Sequence, residues 1–135
     1  MTAAEDTSDV ELLQIGEVAA RTELSIKTIR HYDEVGLVVP SARSAGGFRL
    51  YTADDVDRLM AIRRMKPLGF TLDEMGRLLD ALAVLDNPAA GAAERAAAAE
   101  VVADCHTRAQ QACDRLARHL GYARELTEQL AQVRR

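Results

Sequence analysis

The sequence predicts a mainly α fold, in which a small helical domain bearing one β-hairpin precedes a single long terminal helix. Three observations predict it. Apolar residues make up 48% of the 135 and aromatics only 4%, a mixture that can bury a core but is poor in the large residues that strands favour. Short apolar stripes at helical spacing fill most of the first 85 residues, bounded by capping residues, glycines and prolines. From Ala109 onward a heptad-like apolar stripe continues almost to the last residue. The length suits one ordinary domain, or one small domain with an extension.

Taken in order, residues 1–12 form an acidic leader that is expected to be disordered. Ile15, Val18 and Ala19 have the spacing of a first short helix. Ser25 offers an N-cap for a second, because its hydroxyl can accept a bond from the free amides of the next turn. That helix runs from Ile26 to Val35, with Ile26, Ile29 and Val35 expected to face inward, and Gly36 stops it. Two short helices joined by a tight turn, over about residues 15–35, match a helix-turn-helix unit. Leu37–Pro40 reads as extended, Ser44–Gly47 as a flexible tip and Phe48–Tyr51 as a strand, so a hairpin or wing is expected over about 37–51. Thr52–Asp55 is a capping box with Asp in place of Glu, and Thr71–Glu74 is a full one. They open helices over about 53–67 and 71–85, the first closed by Lys66-Pro67-Leu68-Gly69.

Asn87-Pro88 interrupts the pattern. Residues 89–99 contain eight Ala, which favours helix but supplies little surface to bury, so 86–99 is a connector or the start of a helix. The helix expected over 100–135 carries a heptad seam through Cys113, Leu116, Leu120, Ala123, Thr127 and Leu130. Leu126 and Val133 lie one step off it, as a helix straighter than a 3.5-residue repeat requires. No later segment of the chain covers this stripe. It therefore argues for a second copy, most simply an antiparallel coiled coil in a symmetric dimer.

The charge balance is 17 Lys and Arg against 21 Asp and Glu, a net of −4, which taken alone argues against a nucleic-acid partner. Divided along the chain it says something else. Residues 1–20 hold five acids and no bases, whereas residues 21–51 hold five bases and three acids, together with Tyr32, Phe48 and Tyr51. The only net-basic stretch is thus the helix-turn-helix and its hairpin. Two Cys cannot build the disulfide framework of a secreted scaffold. The polar start is not that of a signal peptide, and no apolar run reaches the roughly 18 residues of a membrane span. A soluble protein of a reducing compartment is expected. No nucleophile–base pair, carboxylate cluster or phosphate loop marks an enzyme; Gly46-Gly47 lacks the strand–turn–helix setting of a nucleotide site.

Several linked segments then resemble the MerR family of bacterial transcriptional regulators. They are Ile15-Gly16-Glu17-Val18-Ala19, Thr28-Ile29-Arg30-His31-Tyr32-Asp33-Glu34-Val35-Gly36-Leu37, Pro40, and Gly47-Phe48-Arg49-Leu50-Tyr51. Asp55-Val56-Asp57-Arg58-Leu59, Leu68-Gly69-Phe70-Thr71-Leu72-Asp73-Glu74-Met75 and Leu78-Leu79 continue the match in family order. The resemblance is dense over residues 13–82 and rests on character alone in the terminal helix. It implies a winged helix-turn-helix DNA-binding domain followed by a long C-terminal dimerisation helix. Three positions depart from the family pattern: Glu23-Leu24-Ser25 replaces the usual Gly-Val-Ser turn, Phe48 replaces a frequent wing Tyr, and Pro67 precedes Leu68-Gly69.

The resemblance implies that Ile26–Val35 is the recognition helix. On DNA, Lys27, Thr28 and Arg30 would face base edges or nearby phosphates, with Lys27, Thr28 and His31 the main base readers. Tyr32 would reach a phosphate through its hydroxyl. Arg43, Gly47, Arg49 and Tyr51 would form the wing beside the groove. Arg21 and Ser25 complete the expected interface. Structural alternatives stand beside these roles: Arg30 could pair with Glu34, Tyr32 could lie partly in the core, and Tyr51 could pack on the first helix.

By the same resemblance the chain would be a short family member without a large effector-binding domain. It would act in the bacterial cytoplasm as a homodimer on a pseudo-palindromic promoter, distorting the spacer DNA recognised by RNA polymerase. No cofactor is expected, and the effector, the target genes and the sign of regulation are left open. Cys105 and Cys113 are the only metal or thiol candidates, joined at most by His106 and His119. Eight residues apart on a helix, they point about 80° out of line, a poor metal pair. Packing on the seam is the stronger reading of Cys113. Two readings from other classes are a helical module that recruits a different protein, without DNA affinity, and a metal- or redox-buffering protein.

Overall fold

The computed structural model describes residues 11–134, so nearly all of the expected acidic leader lies outside the described residues. The elements are β1 (Leu13–Gln14), α1 (Ile15–Thr22), α2 (Ile26–Glu34), β2 (Ala42–Arg43), β3 (Arg49–Tyr51), α3 (Ala53–Met65), a 3₁₀ turn (Lys66–Leu68), α4 (Leu72–Asp86) and α5 (Ala92–Val133). The chain divides into two compact units, one ending at Gly76 and the other beginning at Arg77.

Local chemistry explains most boundaries of the first unit. The Ser25 hydroxyl accepts from the Thr28 amide at 3.0 Å and opens α2. At the far end Gly36 adopts φ 75°. Its amide bonds the Asp33 carbonyl, and the Leu37 amide bonds the Tyr32 carbonyl at 2.8 Å, the paired bonds of a Schellman stop. Thr52 and Asp55 cap α3 reciprocally, and Thr71 and Glu74 do the same for α4. Pro67 ends α3 in the 3₁₀ turn, with Gly69 at φ 87° beyond it.

The sheet has three antiparallel strands in the order β1-β3-β2. Leu13 faces Tyr51, and Arg43 faces Arg49. Two corrections follow. β1 is a strand that a two-residue segment could not announce by alternation. The first wing strand is Ala42–Arg43 rather than Leu37–Val39; Leu37 and Val38 are instead buried behind the end of α2. The core of this unit gathers Val18, Ile29, Tyr32, Tyr51, Leu59 and Ile62. Ile26 and Val35, expected to face inward, are 39% and 49% exposed, because the buried stripe of α2 follows Ile29 and Tyr32 and leaves both ends of the helix outside it.

In the second unit α5 is one helix of 42 residues, about 63 Å long at 1.5 Å per residue. The Ala-rich segment is its first turns. Arg95 donates to the carbonyls of Leu85 and Asn87 at 3.0 and 2.9 Å, satisfying groups that the end of α4 leaves open. Ala98 and Ala112 are the buried residues of α5, whereas Leu116, Leu120, Leu126 and Leu130 are all about half exposed.

Candidate nucleic-acid interface

α2 presents two unlike faces. Ile29 and Tyr32 lie in the core, while Lys27, Arg30 and His31 are exposed. Neither Lys27 nor Arg30 has an ion pair among the described residues, so the i,i+4 alternative of Arg30 with Glu34 is not the arrangement found. Thr28 is half-buried and its hydroxyl accepts from the Ser25 hydroxyl at 2.8 Å. Arg21, at the end of α1, pairs with Glu17 at 3.1 Å and Glu11 at 3.4 Å. Its charge is partly answered within the chain.

The wing is organised by arginines. Arg49 donates through Nε to Asp33 Oδ2 at 2.6 Å, and Arg43 donates to the same oxygen through Nη2 at 3.3 Å. Arg43 Nη1 also reaches the Gly47 carbonyl at 3.3 Å. Gly47 sits at φ 83°, a conformation glycine adopts without a Cβ clash, and closes the turn by donating to the Ser44 carbonyl. Phe48 at the tip is 72% exposed.

The rings of both tyrosines lie in the core, Tyr32 at 3% and Tyr51 at 0% exposure, and the enclosed hydroxyl of Tyr51 makes it a core residue rather than the expected phosphate contact. Tyr51 lies on the central strand, where its ring must cover the helices beneath, and its buried hydroxyl has no hydrogen-bond partner among the described residues. Burial pushes both hydroxyls above the usual tyrosine pKa. Nearby Asp33 raises Tyr51 further and Arg49 opposes it. Arg49 is held still more firmly in its charged form, chiefly by its bond to Asp33.

The exposed basic side of α2, beside an arginine-bearing hairpin, is the geometry of a winged helix-turn-helix. A family model described as MerR HTH family regulatory protein matches residues 13–82, just over half of the chain. The chain belongs to the MerR family. A second model, described as MerR, DNA binding, matches residues 56–111. The chain is 47% identical over 66 residues to the HTH-type transcriptional activator TipA of Streptomyces coelicolor, a match covering 49% of this chain and 26% of that protein. With the HTH-type transcriptional regulator CueR of Yersinia pestis the identity is 42% over 86 residues, covering 64% and 60%. The chain thus matches about a quarter of one relative's length and under two thirds of the other's. The fold is also that of HiNmlR, a MerR family regulator lacking the sensor domain, whose crystal structure is bound to promoter DNA. That likeness has a TM-score of 0.66 and 21% identity, covering 90% of this chain and 89% of the other.

Within this MerR domain, sequence reasoning missed Asp33 and the groups that hold the turn between α1 and α2. Thr22 is fully buried. Its hydroxyl donates to the Val18 carbonyl at 2.8 Å and accepts from the Leu24 amide at 3.3 Å. Glu23, standing where the family turn carries glycine, adopts φ 58°, a left-handed conformation that costs a side-chain-bearing residue about 1–2 kcal/mol. Arg63 reaches across from α3 to the Thr22 carbonyl at 3.2 Å and the Glu23 carboxylate at 2.8 Å. Asp33 was the most findable of these. It lies four residues beyond buried Ile29, and an acid flanking a core stripe needs a cationic partner.

In α5, Cys105 is half-buried and Cys113 exposed. Among the described residues no group of three or more His, Cys, Asp or Glu could hold a metal ion. Among them, too, no helix is long and apolar enough to cross a membrane.

Proposed function

We propose that this MerR-family chain is a sequence-specific DNA-binding transcriptional regulator, not an enzyme. It acts in the cytoplasm as a homodimer on a pseudo-palindromic promoter, where it distorts the spacer DNA read by RNA polymerase in response to an effector. One observation carries the reading. α2 is pinned to the core by Ile29 and Tyr32 while its outer side offers Lys27, Arg30 and His31, beside a wing that bears Arg43 and Arg49. A helix with an exposed basic outer face suits the major groove, and a hairpin beside it suits the flanking phosphates.

The exposed Leu116, Leu120, Leu126 and Leu130 of α5 support the dimer, because a second copy of the same stripe would cover them. Arg21, Ser25, Thr28 and Gly47 would contribute to the DNA interface through phosphate contacts, the helix cap and the wing turn. Cys113 and Ala123 would pack on the seam. The test is footprinting on the promoter upstream of the protein's own gene across a salt series. Symmetric protection that weakens steeply with salt is expected; no protection at any salt defeats the regulator reading.

A further inference from the structure

Asp33 is an acid on the helix proposed to enter DNA, where simple electrostatics gives it no place. Its surroundings explain it. The Asp33 side chain is only 10% exposed, so it shows little of its charge outward. Its Oδ2 receives one arginine from each strand of the wing, Arg43 of β2 and Arg49 of β3. These two arginines stand directly opposite each other in the strand register, where like charges repel. The carboxylate between them cancels that repulsion and ties the hairpin to α2.

The two arginines are used differently. Arg43 spends both η-nitrogens inside the protein, on Asp33 and on the Gly47 carbonyl. Arg49 engages Asp33 through Nε, and its η-nitrogens make no bond among the described residues. A guanidinium held by Nε alone presents its opposite edge as a ready donor for a phosphate oxygen. We infer that Asp33 is a positioning residue of the DNA interface, clamping the wing to the recognition helix and aiming the η-nitrogens of Arg49 at the DNA backbone.

This inference rests on the DNA-binding reading, and Asp33→Asn in the full chain tests it. Were Asp33 merely a repelling charge, its loss would tighten DNA binding. As a positioning residue, its loss weakens binding about tenfold and lowers the salt slope by about one, since one oriented phosphate contact goes. Protection of the wing-facing flanks fades while protection at the α2 contact remains. Arg49→Ala adds little on top of Asp33→Asn, so the double change is clearly less than additive. In the free protein, the amides of Ser44, Gly47 and Phe48 lose exchange protection while those of Leu59 and Ile62 keep theirs. Should Asp33→Asn fail to fold, Arg49→Lys retains the charge without the Nε-plus-fork geometry and is expected to weaken binding equally. Unchanged or tighter binding, or full additivity, overturns the inference. Absence of DNA binding by the wild-type chain defeats the functional reading and the aiming role with it, while the exchange pattern still decides whether Asp33 holds the wing.

Discussion

At the residue scale, Tyr51 gives the sharpest contrast between expectation and structure. Its hydroxyl is buried without a partner among the described residues, and an unsatisfied buried polar group costs about 1–3 kcal/mol. Tyr51→Phe is therefore expected to raise the urea midpoint, by about 1 kcal/mol of stability, and to leave DNA affinity unchanged. A phosphate-contacting tyrosine would do the reverse. The raised pKa of this residue fixes a sign as well. Folding favours its neutral form, so the associated stability is complete below the unfolded value near 10 and is lost as pH climbs through the higher folded value. Alkaline denaturation profiles of wild type and Tyr51→Phe should diverge above about pH 10, the variant falling less. Lys27, exposed and without an ion pair among the described residues, belongs to a different class of test. Lys27→Ala is expected to relax preference at one position in each half-site, worth about 1–3 kcal/mol, which competition binding with single-base variants would read. An unchanged preference would leave Lys27 a phosphate contact.

Among the elements, α5 makes the firmest prediction. Replacing Leu116 and Leu120 by Glu removes two apolar side chains from each half of the proposed interface. At about 1.5–3 kcal/mol per buried leucine, sedimentation should show monomers at concentrations where wild type is dimeric, with helicity largely retained. A dimer that persists would place the contact elsewhere. How legible the elements were depends on the range of the interactions that define them. The caps at Ser25, Thr52 and Thr71 and the stop at Gly36 involve residues within a few positions of one another, and the sequence pattern exposed them. The start of α5 at Ala92 was ambiguous because alanine favours helix in a connector and in a packed helix alike. β1 had two residues, too few for alternation to register. The bond from Arg63 to the Thr22 carbonyl spans 41 positions, and no local pattern encodes such a partner. The site was legible to a similar degree. The exposed bases of α2 were plain in the sequence, whereas the acids that position the wing had been counted only as opposing charge.

For the whole molecule, net charge is a poor guide to partners. The total of −4 coexists with a basic helix face, because residues 1–20 carry five acids and no bases. Affinity for DNA then depends on the local face and on counterion release rather than on the sum. A dimer making about six to ten phosphate contacts should lose roughly 10³–10⁵ in affinity between about 50 and 200 mM salt, which fluorescence anisotropy would measure. A flat salt response would mean that the basic face does not meet the backbone.

One carboxylate remains. Asp55 Oδ2 accepts from the Ser41 amide before β2 and the Thr52 amide after β3, each at 3.0 Å, so both feet of the hairpin are tied to a single atom on α3. The span between them behaves as a closed loop whose anchorage does not depend on what lies at its tip. Because lengthening such a loop costs little once its ends are fixed, an insertion between Ala45 and Gly46 is expected to leave the pairing of β2 with β3 in register.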